Sequence, residues 1–131
     1  MAVLLGKAAA VFLPSGTMCN VIAILTPCRS GEEVIAHQTA HILTSEGGAH
    51  AAFSGVQIQP LPGPRGMFTA EQARAAIRPR TRYAPPQRLL EVEQTANIGG
   101  GTNAEVRREL DKVLVGVNWR FGGAAPIAAR Y

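Results

Sequence analysis

Four short stretches carry residue types that could do chemistry. In Pro14-Ser15-Gly16-Thr17-Met18 a glycine and two hydroxyls precede a helical pattern. Backbone N–H groups at a helix start point outward, the helix dipole favours negative charge, and hydroxyls donate, so the stretch suits an anion. An N-cap with no ligand uses the same residues and is the plainer alternative. In Ala36-His37-Gln38-Thr39-Ala40-His41 two histidines stand four apart. That spacing serves zinc only on one helix face with further ligands. The segment reads as a strand end and loop, so no metal site is expected. A single imidazole at a strand's carboxyl end suits stacking or proton transfer, with a surface histidine as the alternative. Ser45-Glu46-Gly47-Gly48 joins a carboxylate, an acid/base candidate or a solvated helix-start acid, to two glycines that permit close backbone approach. Glu93-Gln94-Thr95-Ala96-Asn97 precedes Gly99-Gly100-Gly101 and closes a strand pattern, although the glycines also fit a plain loop.

The elements that must position these residues alternate along the chain. Residues 8–13 are a continuous apolar run closed by Pro14, which suits a buried strand. A helix then runs to about Leu25, with Val21, Ile22 and Leu25 on one face, and ends at Pro27 and Arg29-Ser30-Gly31. Residues 33–37 read as a second strand. Residues 44–53 read as a helix of small residues weakened by Gly47 and Gly48. Residues 56–61 alternate as a third strand, Thr69 caps a helix over 70–77, and 88–93 hold a fourth strand. Strand and helix in turn give an α/β fold with a mostly parallel, helix-covered sheet. Ligands of such sheets bind beyond the carboxyl ends of the strands, the edge on which Glu93-Gln94-Thr95-Ala96-Asn97 is expected. Residues 103–113 read as a polar helix, and the last dozen residues form no clear element. Two regions are therefore expected, 1–102 and a divergent 103–131 whose tail is expected to be disordered.

Order and spacing together are more specific than any one stretch. The run from Leu5 through Lys7, Pro14, Ser15, Gly16 and Thr17 to Met18 resembles the phosphate-binding stretch of the threonine aldolase and β-eliminating lyase family. Gly31-Glu32-Glu33-Val34-Ile35-Ala36-His37, Ala40-His41-Ile42 and Glu46-Gly47-Gly48-Ala49 continue it in register, and Glu93-Gln94-Thr95-Ala96-Asn97 is similar to the family's Glu-Asn-Thr-His-Asn. The resemblance implies part of the large domain of a fold-type-I enzyme dependent on pyridoxal 5'-phosphate. It implies cleavage of a β-hydroxy-α-amino acid to glycine and an aldehyde, a small amino-acid substrate, and a homo-oligomer for the intact family. By the same resemblance Ser15, Gly16 and Thr17 hold the cofactor phosphate. His41 stacks on its ring as the candidate catalytic residue, and Glu46 is an acid near that histidine. Thr95 and Asn97 lie in the strand-end stretch beside the cofactor. Where the family has a histidine between them, this chain has Ala96. The chain's two lysines, Lys7 and Lys112, match no cofactor-linking lysine motif of the family. The expectation is a fragment inactive by itself. Two alternatives are a truncated pseudo-enzyme or interaction module, and another fold-type-I enzyme using the same cofactor.

Composition bounds the rest. The chain has 131 residues, 47% hydrophobic and 17% charged, which is one globular domain rather than a disordered tail. No apolar run approaches the roughly 18 residues a membrane span needs. The start lacks a basic segment and a cleavage site, so no signal peptide is expected. Two cysteines make no disulfide framework, which points to a reducing, cytoplasmic setting. Residues 1–66 carry three basic and three acidic side chains, so the whole excess of +4 lies in the second half. Arg78, Arg80 and Arg82 beside Tyr83 form a local cluster broken by Pro79, Pro85 and Pro86. It reads as a solvated turn, and nucleic acid is not expected as a partner.

Overall fold

The computed structural model describes Val3, Gly6, residues 8–101 and residues 113–117. Its sheet contains β1 (Glu33–His37), β2 (Gln57–Leu61), β3 (Gln87–Gln94) and β4 (Val113–Val117), all parallel, in the order β2-β1-β3-β4. The helices are α1 (Gly16–Leu25), α2 (His41–Thr44), α3 (Ala49–Ser54) and α4 (Ala70–Ala76). This is the mostly parallel α/β architecture that the alternating pattern implied.

β1 is inside the sheet, and all five of its residues are buried. A strand covered on both faces reads as a continuous apolar run, as Val34-Ile35-Ala36 does. The polar residues at its two ends are satisfied. Glu33 accepts from the Arg78 guanidinium at 2.6 Å, and the His37 ring bonds the Gly63 carbonyl at 3.1 Å. β2 contains Pro60, which cannot donate to a ladder, and it lies at the sheet edge. The core joins Ile24 of α1 to Cys28, Val34, Ala36, Ala40, Ile42, Val56 and Leu89. Burying a side chain such as Val34 or Ile42 contributes roughly 1.5–3 kcal/mol. α1 also packs against α3 and β4, and α4 against β2. Both cysteines are free.

Several local expectations fail. Residues 8–13 form no strand; Val11 is 81% and Phe12 82% exposed. The apolar run has no ladder partner in this sheet order, and a short apolar run alone does not specify a strand. The helix expected over 44–53 is instead two helices, α2 and α3, separated by Gly47 and Gly48. Both glycines have positive φ, 59° and 76°, which a right-handed helix does not accommodate. His41, expected in a loop, is the first residue of α2. Beyond residue 101, Val113–Val117 is a strand beside β3; Val113, expected to end a polar helix, instead begins this strand, and no element was assigned to residues 114–117. The polar helix expected over 103–113 and the tail from 118 lie outside the described residues, apart from Val113.

Candidate functional site

The carboxyl ends of β1 and β3 carry the chemistry. His37 ends β1, and its Nδ1 accepts the Thr39 N–H at 3.1 Å, with the Thr39 hydroxyl at 2.8 Å. An accepting Nδ1 leaves the proton on Nε2, which donates to the Gly63 carbonyl. His37 is therefore a neutral, buried ring that ties β1 to the turn after β2. It is not turned toward a ligand.

His41 is held differently. Its Nδ1 donates to Glu46 Oε1 at 2.8 Å, and its backbone N–H donates to Glu93 Oε1 at 2.5 Å. The His41 side chain keeps 26% exposure while that of Glu46 keeps 1%. With Nδ1 carrying the proton, Nε2 is the basic atom in the neutral ring. It has no hydrogen-bond partner among the described residues. An imidazole anchored on one edge and open on the other suits stacking on a flat ligand or passing a proton at Nε2.

Ser15 is the N-cap of α1, and its Oγ accepts the Met18 N–H at 3.2 Å. Gly16 and Thr17 open the helix, and first-turn N–H groups lack intrahelical acceptors. One turn on, the Asn20 amide donates to the same Glu46 Oε1 at 2.5 Å. A single buried carboxylate oxygen thus bridges α1 and His41. Asn20 is five residues past the cap, about 7.5 Å of helical rise. Through Asn20 and Glu46, the helix that Gly16 and Thr17 open is linked to the His41 ring. Asn20 was not legible as part of it, because an asparagine inside a helix signals nothing until its partner is known.

Three carboxyl groups crowd behind the ring. Glu91 and Glu93 stand two apart on β3, hence on one face of the strand. Burial pushes the Glu91 carboxyl up to about 8, with the charges of Glu93 and Glu46 adding to the shift. Its Oε2 is sealed from water with no hydrogen-bond partner among the described residues. Burial also raises Glu93, opposed by the hydrogen bond from the His41 amide. The sequence signal for Glu91 was an acid amid Leu89, Leu90 and Val92. Among the described residues no group of three or more His, Cys, Asp or Glu is arranged to hold a metal ion.

The strand-end stretch folds back on the turn at Pro64–Gly66. Ala96 is 1% exposed, and a Cβ on Gly66 would stand 2.7 Å from its methyl. A Cβ on Gly99 would meet the Arg65 carbonyl oxygen at 1.9 Å, so this glycine permits two backbones to touch. Arg78, from the arginine cluster, lies at the opposite sheet edge on Glu33. Arg82 stacks over Tyr83, 4.7 Å from the ring centre. No described helix is long and apolar enough to cross a membrane.

A family model described as β-eliminating lyase matches residues 1–113. A low specificity L-threonine aldolase of Escherichia coli is 37% identical over 93 residues, covering 70% of this chain and 28% of the relative. Low-specificity L-threonine aldolase 1 of Arabidopsis thaliana is 39% identical over 105 residues, 76% of this chain and 29% of the relative. Among solved structures, a threonine aldolase of Leishmania major superposes with a TM-score of 0.65 at 31% identity, covering 72% of this chain and 28% of that one. The chain spans under a third of the length of these relatives.

Proposed function

The chain belongs to the β-eliminating lyase family, and from that premise we propose that it forms the phosphate- and ring-holding part of a threonine-aldolase-type lyase. The reaction is cleavage of a β-hydroxy-α-amino acid to glycine and an aldehyde. Pyridoxal 5'-phosphate, when bound, supplies an electron sink for the carbanion left at Cα. The residues present fit that cofactor on their own geometry. The open N–H groups of Gly16 and Thr17 and the Ser15 and Thr17 hydroxyls would hold its phosphate at the positive end of α1. His41 would lie against its ring, oriented by Glu46 through Nδ1, leaving Nε2 to hold or pass a proton near the substrate. One observation carries the reading: Glu46 Oε1 joins Asn20 of α1 to the His41 ring, so the anion-binding helix and the imidazole form one site.

The reading extends to a small amino-acid substrate, a homo-oligomer and a cytoplasmic setting. It also holds that these 131 residues do not turn over threonine by themselves. Neither Lys7 nor Lys112 lies in a motif that would link the cofactor covalently, and loss of such a nucleophile commonly costs orders of magnitude in rate. A second reading, a module that pairs with another chain, is favoured by the half-exposed Met18, Ile22 and Leu25 on α1.

Titration of the purified chain with pyridoxal 5'-phosphate, followed by its absorbance and induced circular dichroism, tests the proposal. Saturable binding is expected, weakened about tenfold or more in Thr17→Val, since a hydrogen bond to a charged group contributes about 1.5–3 kcal/mol. His41→Ala should diminish the induced dichroism. Binding unaffected by both substitutions would refute the site assignment. Cofactor-dependent release of glycine from threonine would refute the claim of inactivity.

A further inference from the structure

We propose that Glu93 is a positioning residue that sets where the His41 ring is presented, acting from β3 as the missing N-cap of α2. The inference rests on the site reading above and deepens it.

α2 has four residues and cannot hold itself together. A helix of that length makes about one turn, and forming a first turn is unfavourable because several dihedrals are fixed for one hydrogen bond. Its first N–H groups need acceptors from outside. The residue at the N-cap position, Ala40, has no side-chain oxygen and makes no capping bond. The acceptor comes from 52 residues away. Glu93 Oε1 takes the His41 N–H at 2.5 Å, and a carboxylate at a helix start also opposes the positive end of the dipole.

The consequence for the ring follows from what else holds it. Glu46 fixes Nδ1 and is itself held to α1 by the Asn20 amide, so it ties the ring to α1 but does not hold the His41 backbone. Glu93 is the side chain that ties the His41 backbone to β3. Ala40 and Ile42, on either side of His41, are buried in the core and fix its depth. The hydrogen bond from the amide to β3 fixes its rotation about the chain. Backbone held by one carboxylate and ring by another leave the imidazole a single pose. Without Glu93 the first turn of α2 frays, and the ring, still bonded to α1 through Glu46, loses its fixed relation to β3.

The full chain can be tested by substituting Glu93→Ala and Glu93→Gln and measuring three quantities. The His41 amide proton, observed by NMR, should resonate downfield and exchange slowly in the parent. Glu93→Ala should move it upfield and speed its exchange at least tenfold. Glu93→Gln, which keeps an acceptor oxygen, should recover most of the protection. Affinity for pyridoxal 5'-phosphate should fall about tenfold in Glu93→Ala, while affinity for inorganic phosphate alone stays unchanged, because α1 is untouched. General loosening of the fold would weaken both ligands together.

An unchanged His41 amide in Glu93→Ala would overturn the proposal, as would equal losses for both ligands. If Glu93→Ala does not fold, Glu93→Gln decides alone: it must retain a protected His41 amide that is less downfield than the parent's. Failure of the parent chain to bind pyridoxal 5'-phosphate would overturn the functional reading instead, and the amide measurement would still judge Glu93.

Discussion

A carboxyl oxygen sealed from water, with no donor beside it and two acids nearby, favours the form that keeps its proton. Glu91 is in that position on β3, and its carboxyl titrates at about 8. In the unfolded chain the same group releases its proton near 4.5. Between those values the folded chain binds a proton that the unfolded chain does not. Stability therefore falls as pH rises from about 5 to 8, and the loss is complete above 8. The full span corresponds to about 5 kcal/mol. Glu91→Gln removes the ionisation and keeps the shape. Urea unfolding at several pH values should show the parent losing stability relative to the variant from pH 5 to 8. Parallel curves would refute the assignment. Glu91 was visible in the sequence only as an acid in an apolar strand. Its proximity to Glu46, 45 positions earlier, arises from the sheet and not from any local pattern.

Elements closed by local chemistry were the legible ones. Thr69 and Gln72 form a reciprocal capping box, with the Thr69 side chain taking the Gln72 N–H at 3.2 Å and the Gln72 side chain taking the Thr69 N–H at 2.7 Å. Thr69, the residue expected to cap the helix, does so, and α4 is found where the sequence put it. β1 and β2 were legible for a similar reason, since burial on both faces or alternation is written residue by residue. Residues 8–13 show the limit. They are as apolar as β1, but a strand exists only where a neighbouring strand accepts its hydrogen bonds, and the sheet order does not offer one. His41 was misread as loop because its helix cap comes from Glu93 rather than from the preceding residue. These two kinds of element respond differently to mutation. Thr69→Ala should cost about 1 kcal/mol of stability. Because α4 packs on β2, away from α1 and α2, cofactor affinity should not change. Thermal unfolding and ligand titration of the same sample separate the two effects. A weakened affinity would mean that α4 couples to the site.

At the scale of the whole molecule, the described residues leave apolar surface without a partner. Met18, Ile22 and Leu25 stand at i, i+4 and i+7 on α1, each 42–43% exposed, on a helix whose buried anchor is Ile24. Phe12, just before that helix, is 82% exposed. β2 and β4 end the sheet, and an open strand edge offers unpaired N–H and C=O groups to any other strand. Scattered exposed hydrophobics are ordinary, but a stripe on one helix face flanked by an exposed phenylalanine favours association. The relatives have more than three times the chain this one aligns to, so comparable surface in them has further protein available to cover it. The net charge of +4 opposes close approach only weakly at physiological salt, where exposed charges beyond about 8 Å are screened. The isolated chain should therefore self-associate with rising concentration. Sedimentation velocity from 1 to 100 µM should show the sedimentation coefficient increasing, and added salt should promote the effect. Ile22→Glu, in the middle of the stripe, should shift the association at least tenfold toward monomer without changing the far-UV circular dichroism. A parent that stays monomeric throughout would show that the stripe does not drive association. An Ile22→Glu variant that associates as strongly as the parent would assign the contact to the sheet edges instead.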